Sequence, residues 1–221
     1  VPPLERLLGY AFEHQPLRRL GEQLRKEPTL ALDLAGLPAG AKVLLAAWLS
    51  ETVTDGPVLF LTGDDERGEA LTAGLGSFIE NTLFLPDWEL LPYEPHSPER
   101  RTSAERLDAL HRLAEGFRGV LVTTPQALSR RVIPKEVLRE HVLEIKAGAE
   151  LPPEDLTRRL ATLGYSRSPL VESPGEFARR GGLLDLYPPG AEGPVRVDYF
   201  GDYVESLRRF EPQSQRTTGE V

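Results

Sequence analysis

Residues Gly36-Leu37-Pro38-Ala39-Gly40-Ala41-Lys42-Val43 have the spacing of a phosphate-binding loop, with glycines ahead of a lysine between a candidate strand and a helix. Such a loop wraps phosphates in backbone N–H groups, which needs glycine directly before the lysine, and holds Mg²⁺ with a Ser or Thr directly after it. Those two positions are Ala41 and Val43. A methyl group crowds the cradle and valine offers no metal ligand. The pattern therefore predicts a P-loop fold without its nucleotide, Lys42 a surface cation, and no cofactor. Asp64-Asp65-Glu66 has carboxylates enough for a metal, but a helix N-terminus favours the same charges. Thr123 and Thr124 fit a cleft lining or the cap of a helix from Gln126. Trp88 and Tyr93, flanked by Pro86 and Pro92, suit base stacking or packing on a sheet. His14, His96, His111 and His141 lack ligand spacing, and the absence of cysteine excludes thiolate metal sites and disulfides.

A second set of residues suits recognition. Arg167, Phe177, Arg179, Arg180 and Arg196 come from neighbouring strand candidates and the loop after Gly164-Tyr165. Guanidinium groups grip carboxylates in bidentate fashion, and an aromatic beside them adds apolar contact, which is the chemistry of interface anchors. The competing reading is a solvated sheet face balanced by Glu172, Glu176, Asp198 and Glu205. A net charge of −8 argues against a general nucleic-acid surface, because phosphate attraction dominates such binding.

Two organisations of the chain must position these residues. Leucines and Phe12 recur at helical spacing from Pro2 to Lys26, with an interruption near Pro16. Strands are expected at Leu30–Leu34, Val58–Thr62, Thr82–Leu85 and Gly119–Thr123. Helices are expected at about 41–52, 66–78 and 103–116. Strand–helix alternation with apolar strands predicts a parallel sheet covered by helices on both faces. Between Ser129 and Pro134 the pattern changes to a strand at Val142–Ile145, a helix at Pro153–Leu163 and three antiparallel strands. These are Phe177–Tyr187, Val195–Phe200 and Tyr203–Phe210, with a hairpin at Gly201-Asp202. Pairing across that turn puts Phe200 opposite Tyr203, Asp198 opposite Glu205 and Arg196 opposite Leu207. Val195, Val197 and Tyr199 then face the core, and Arg196, Asp198 and Phe200 form a charged face open to a partner. No run approaches the ~18 apolar residues of a membrane helix, and no secretory leader is visible from Val1 onward. The absence of methionine, a single asparagine and an excess of arginine over lysine suit a thermophile or a biased genome.

The stretches Glu176-Phe177-Ala178-Arg179-Arg180-Gly181-Gly182-Leu183-Leu184-Asp185-Leu186-Tyr187-Pro188 and Val195-Arg196-Val197-Asp198-Tyr199-Phe200-Gly201-Asp202 are distinctive. With Pro86-Asp87-Trp88-Glu89-Leu90-Leu91-Pro92-Tyr93, His96-Ser97-Pro98 and Ser214-Gln215-Arg216-Thr217, they resemble the amino-terminal region of the bacterial transcription-repair coupling factors, a region shared with the excision-repair helicase UvrB. The resemblance runs from about Leu30 onward. It implies a degenerate P-loop (RecA/helicase-like) parallel-sheet domain over 1–128, an inserted α+β domain over 129–213, and a return to the first domain over 214–221. It further implies a non-enzymatic, cytoplasmic adaptor that recruits UvrA in nucleotide excision repair. RNA polymerase, DNA, ATP and Mg²⁺ would be engaged by other parts of the full-length protein. The implied UvrA contacts are Arg167, Phe177, Arg180, Arg196 and Asp198. Ala178 stands where UvrB has a further arginine, and a UvrB hairpin rich in tyrosine is shorter here. The alternative is an active UvrB-like nucleotide-dependent DNA-binding enzyme, against which Ala41 and Val43 weigh.

Overall fold

The computed structural model describes residues 9–10, 13–27, 29–88 and 100–221. The aromatic-loop expectations on Pro92 and Tyr93, and that on His96, lie outside them. The chain divides into two compact units, one of Val1–Glu89 with Ala109–Val132, the other of Leu90–Asp108 with Ile133–Val221.

In the first unit, helix α1 (Gln15–Lys26) begins where an interruption was expected. Pro16 sits in its first turn, where a missing N–H costs nothing. Leu30–Leu34 forms no strand, because no neighbouring strand pairs with it to satisfy a ladder. Helix α2 (Ala39–Thr52) is followed by strand β1 (Val58–Leu61), helix α3 (Asp65–Leu75), strand β2 (Thr82–Leu85), helix α4 (Arg100–Ala114, which belongs to this unit from Ala109 onward), strand β3 (Val120–Thr123) and the short helix α5 (Pro125–Ser129). The sheet is parallel, in the order β1-β3-β2. Its central strand is apolar apart from Thr123 and buried throughout. Val43, Ala46, Ala47 and Leu75 pack one face against Val120 and Val122. On the other face Ala109, Leu113 and Phe117 cover Leu83, Leu85 and Leu121. That cover stops short of β1, where Leu59 and Leu61 are half exposed, so the expected two-sided burial holds for two strands of the three.

The second unit contains helix α6 (Lys135–Glu140), helix α7 (Pro153–Thr162) and six strands: β4 (Ser166–Arg167), β5 (Glu176–Arg180), β6 (Leu183–Leu186), β7 (Val195–Phe200), β8 (Tyr203–Phe210) and β9 (Thr217–Glu220). They form one mixed sheet in chain order, parallel between β4 and β5 and antiparallel elsewhere. Three expectations change. The run 177–187 is two strands, folded back at Gly181-Gly182, with Gly181 at φ +59°. Residues 142–145 make no strand, although Leu143 and Ile145 still pack against the core. Finally, 214–221 lies in this unit, with β9 as the sheet's outer strand. The β7–β8 pairing holds at Phe200–Tyr203 and then shifts at a bulge, which leaves Glu205 without a partner across the ladder. Asp198 thus faces Ser206, and Arg196 faces Arg208. The extra residue has a consequence: it turns Leu207 back to the apolar side, opposite Val197.

Gly119 opens β3 at φ +143°, and a Cβ there would stand 2.1 Å from the Asn81 carbonyl oxygen. Gly119→Ala should cost more than about 1 kcal/mol, since it adds a steric clash to a disfavoured backbone. Urea denaturation of the two chains checks this.

Candidate partner-docking site

Gly164 and Tyr165 set the position of the sheet's first edge. Gly164, at φ +86°, ends α7, its N–H bonding back to Ala161 O at 3.1 Å. Tyr165 then drops its ring into the core, and burial pushes its hydroxyl up to about 12. Two residues further on, Arg167 stands exposed on edge strand β4, in register with Phe177.

The sheet has one face under α7, where Leu156 and Leu160 pack on Phe177, Leu184, Leu186, Val197 and Val204. Phe177 is only 2% exposed. Its register partner is Leu186, and the two share the helix-covered side, so Phe177 is a core residue and not a surface anchor. Arg179 lies on this side as well, in an ion pair with Glu154 at 2.7 Å.

The opposite face carries the charges, and it is not open along its length. The segment after β4 crosses it and plugs Val171 against Ala178 and Phe210. Beneath, Ala178, Asp185, Arg196 and Arg208 form one cross-strand row. Arg196 grips Asp185 through two bonds, Nε to Oδ1 at 2.7 Å and Nη2 to Oδ2 at 2.9 Å, and its guanidinium lies 4.8 Å from the Phe210 ring centroid. Asp198 is held in the same way by Arg208, at 2.8 and 2.6 Å, and accepts a third bond from Ser206 Oγ at 2.7 Å. Burial pushes the Asp198 carboxyl up, but the bonds from Arg208 and Ser206 and the charges of Arg208 and Arg196 outweigh it, and the group sits below the usual carboxylate range. Gln215 locks this arrangement. With φ +59° it holds the left-handed backbone conformation that glycine favours, accepts from Arg196 Nη1 through its carbonyl at 3.4 Å, and donates from Nε2 to Val171 O at 3.3 Å.

Of the five residues expected to meet a partner, Arg167 and Arg180 remain exposed. Phe177 is core, while Arg196 and Asp198 spend their charges within the sheet. Arg180 ends β5 and donates from Nη2 to Pro169 O at 3.0 Å, which fixes it beside the crossing segment. Phe200, expected on the partner face opposite Tyr203 but not among the expected contacts, is 77% exposed, and Tyr203 is 52% exposed. A signal was present, since apolar rings on both sides of a Gly-Asp turn fall where no core can reach.

In the first unit, α2 begins at Ala39, so Gly40, Ala41 and Lys42 are already helical. The N–H groups of Ala41 and Lys42 bond to Pro38 O at 3.0 and 3.2 Å, and Val43 is buried in the core. An open cleft of about 550 Å³ lies alongside, lined by Gly40, Lys42, Phe60, Thr62 and Arg67 among others. Asp64 caps α3 by accepting from Arg67 N at 2.9 Å, and Thr124 caps α5 by accepting from Ala127 N at 3.2 Å. Among the described residues no cluster of three His, Asp or Glu side chains is arranged to hold a metal, and no helix is long and apolar enough to cross a membrane.

Comparison with known proteins follows this division. Residues 143–221 match the family described as the UvrB interaction domain. The chain is 41% identical over 170 residues to a transcription-repair-coupling factor of Myxococcus xanthus, which covers 73% of this chain and 14% of that protein. It is 38% identical over 189 residues to that of Escherichia coli K12 (85% and 16%), and 36% identical over 188 residues to that of Bacillus subtilis 168 (83% and 16%). The match thus falls within the second unit. Most of the chain is similar to part of the transcription-repair-coupling factors, and it spans 14–16% of the length of these three relatives.

Two outcomes follow for stability. Arg196→Ala, which strands the Asp185 carboxylate at 3% exposure, should cost about 3–5 kcal/mol, whereas exposed Arg180→Ala should stay within about 0.5 kcal/mol. Chemical denaturation at neutral pH checks both. Asp198 has a depressed carboxyl in the folded state, so its contribution is complete above the unfolded value of about 4 and is lost as pH falls through the lower folded value. Asp198→Asn should therefore be less stable than wild type at pH 7 and show a shallower acid limb below about pH 4.

Proposed function

We propose that this chain is the UvrA-docking adaptor segment of a coupling factor, which brings the excision-repair machinery to lesions marked by stalled RNA polymerase. The observation that carries the reading is the pair of exposed arginines, Arg167 and Arg180, without an ion-pair partner among the described residues, on a sheet whose buried carboxylates Asp185 and Asp198 are held in internal pairs. A rigid platform lowers the ordering cost of docking, and guanidinium forks select carboxylates. Arg196 and Asp198 serve this site by stiffening the sheet, and Phe177 by building its core. The relatives' name and the UvrB interaction domain match support the repair assignment.

The first unit, in this reading, is a P-loop-type fold that no longer takes nucleotide. Supporting it are the capped N–H groups at Ala41 and Lys42, the alanine before the lysine, and the burial of Val43 where a metal-binding hydroxyl would stand. The segment performs no reaction and takes no ATP or Mg²⁺ of its own. Translocation on DNA with ATP and contact with RNA polymerase belong to other parts of a longer, cytoplasmic protein.

Titration calorimetry of the 221-residue chain against UvrA tests the docking claim. Arg180→Glu should weaken binding by about 30-fold or more, the equivalent of about 2 kcal/mol, because it replaces an attraction with a repulsion. Arg167→Glu should weaken it less, and Arg118→Glu, an exposed change on the first unit, should leave it unchanged. Equal affinity for Arg180→Glu and wild type would refute the assigned face. Millimolar ATP with Mg²⁺ should leave the melting temperature unmoved, as only native-state binding stabilises, and a saturable upward shift would refute the lost nucleotide site.

A further inference from the structure

We infer that the exposed aromatic pair Phe200 and Tyr203 is the apolar centre of the docking surface, taking the place expected of Phe177, and that it enters an apolar pocket on a protein partner, flanked there by a carboxylate and a cation. The inference rests on the proposed docking function and names the contact that function lacks. Register places the residues on one side of the sheet. Arg180 pairs with Leu183, Leu183 with Asp198, and Asp198 with Ser206, and the next same-face position along β7 pairs Phe200 with Tyr203. This is the charged face, beyond the part that Val171 covers. Leu183 is 37% exposed, so apolar surface runs between Arg180 and the two rings, while Asp198 between them is neutralised by Arg208.

Such a strip is costly to leave in water. Large exposed apolar surface on a folded chain marks a contact site, and aromatic residues with arginine dominate the energy of protein interfaces. The hairpin is also held in place before any partner arrives. Gly201 turns at φ +61°, and the segment before α7 runs beside the start of β8. Leu151 N bonds Asp202 O at 2.9 Å, Gly148 N bonds Val204 O at 2.7 Å, and Val204 N bonds Ala149 O at 2.9 Å. Rings fixed in this way lose little freedom on docking.

Charge selects protein over nucleic acid. Exposed rings near an arginine also suit stacking on single-stranded bases. Asp202 sits in the turn between the rings and Glu205 lies two residues after Tyr203, both exposed, and together they repel a phosphate backbone. The complementary surface is an apolar pocket with a carboxylate on the Arg180 side and a cation on the Asp202 side.

The experiment is titration of UvrA with wild type, Phe200→Ala/Tyr203→Ala, Phe200→Leu/Tyr203→Phe, Asp202→Lys and Arg180→Glu, with melting temperatures as a folding control. The double alanine variant should melt as wild type does and bind about 30-fold or more weakly. The conservative pair should restore most of the affinity, and Asp202→Lys should weaken binding. If the alanine pair binds as wild type while Arg180→Glu fails, the aromatic inference falls and the docking function stands. If wild type itself does not bind UvrA, both fall. Binding of an oligo-dT strand that the alanine pair abolishes, with UvrA affinity untouched, would overturn the inference in favour of base stacking.

Discussion

Arg196 and Arg208 each close a two-bond grip on a buried carboxylate, Asp185 and Asp198, and the second unit is arranged around those grips. Four charged groups on one side of a small sheet would ordinarily demand solvent. Paired, they tolerate partial cover, and the crossing segment after β4 can set Val171 against Ala178 and Phe210 beside them and tie itself to Gln215. Removing either arginine leaves a buried carboxylate stranded, a far larger penalty than the net gain from forming the pair. The Asp198–Arg208 grip also depends on the bulge at Glu205, which brings Ser206 opposite Asp198.

This explains why function concentrates at the ends of the face. Where the cover stops, the sheet presents Arg180, Leu183, Phe200 and Tyr203; Arg167 stands on edge strand β4, in register with Phe177 and so on the sheet's other side. Each sits on backbone that is bonded on at least one side, so the surface is stiff without a partner. Charges inside the platform specify its shape, and charges outside it are available for recognition. Arginine serves both ends because its planar fork suits a fixed carboxylate within the sheet and one on a second protein equally well.

Much of this was legible from residue types. The apolar runs that became β1, β2 and β3 announced a parallel sheet, and Gly201-Asp202 announced its hairpin. What escaped were non-local events. Gly181-Gly182 breaks a run that otherwise reads as one long strand, and only its pairing with itself reveals two. The alternation of Val195 to Phe200 correctly separated a core face from a charged one. Nothing local indicated that the charged face would be crossed by Val171, or that Arg196 and Asp198 would find partners in Asp185 and Arg208 on the neighbouring strands. Phe177 illustrates the same limit: motif resemblance marked it for contact, while its ladder position opposite Leu186 turns it under α7. Leu30–Leu34 had the composition of a strand but no neighbour to pair with.

The central claim is that a partner meets this chain along the uncovered end of the second unit's charged face. Hydrogen–deuterium exchange of the 221-residue chain, with and without UvrA, tests it most directly. The account predicts new protection confined to 166–170, 180–183 and 199–204, with the first unit unchanged. Protection centred instead on 36–43 and 58–67, the residues around the first unit's cleft, would contradict it.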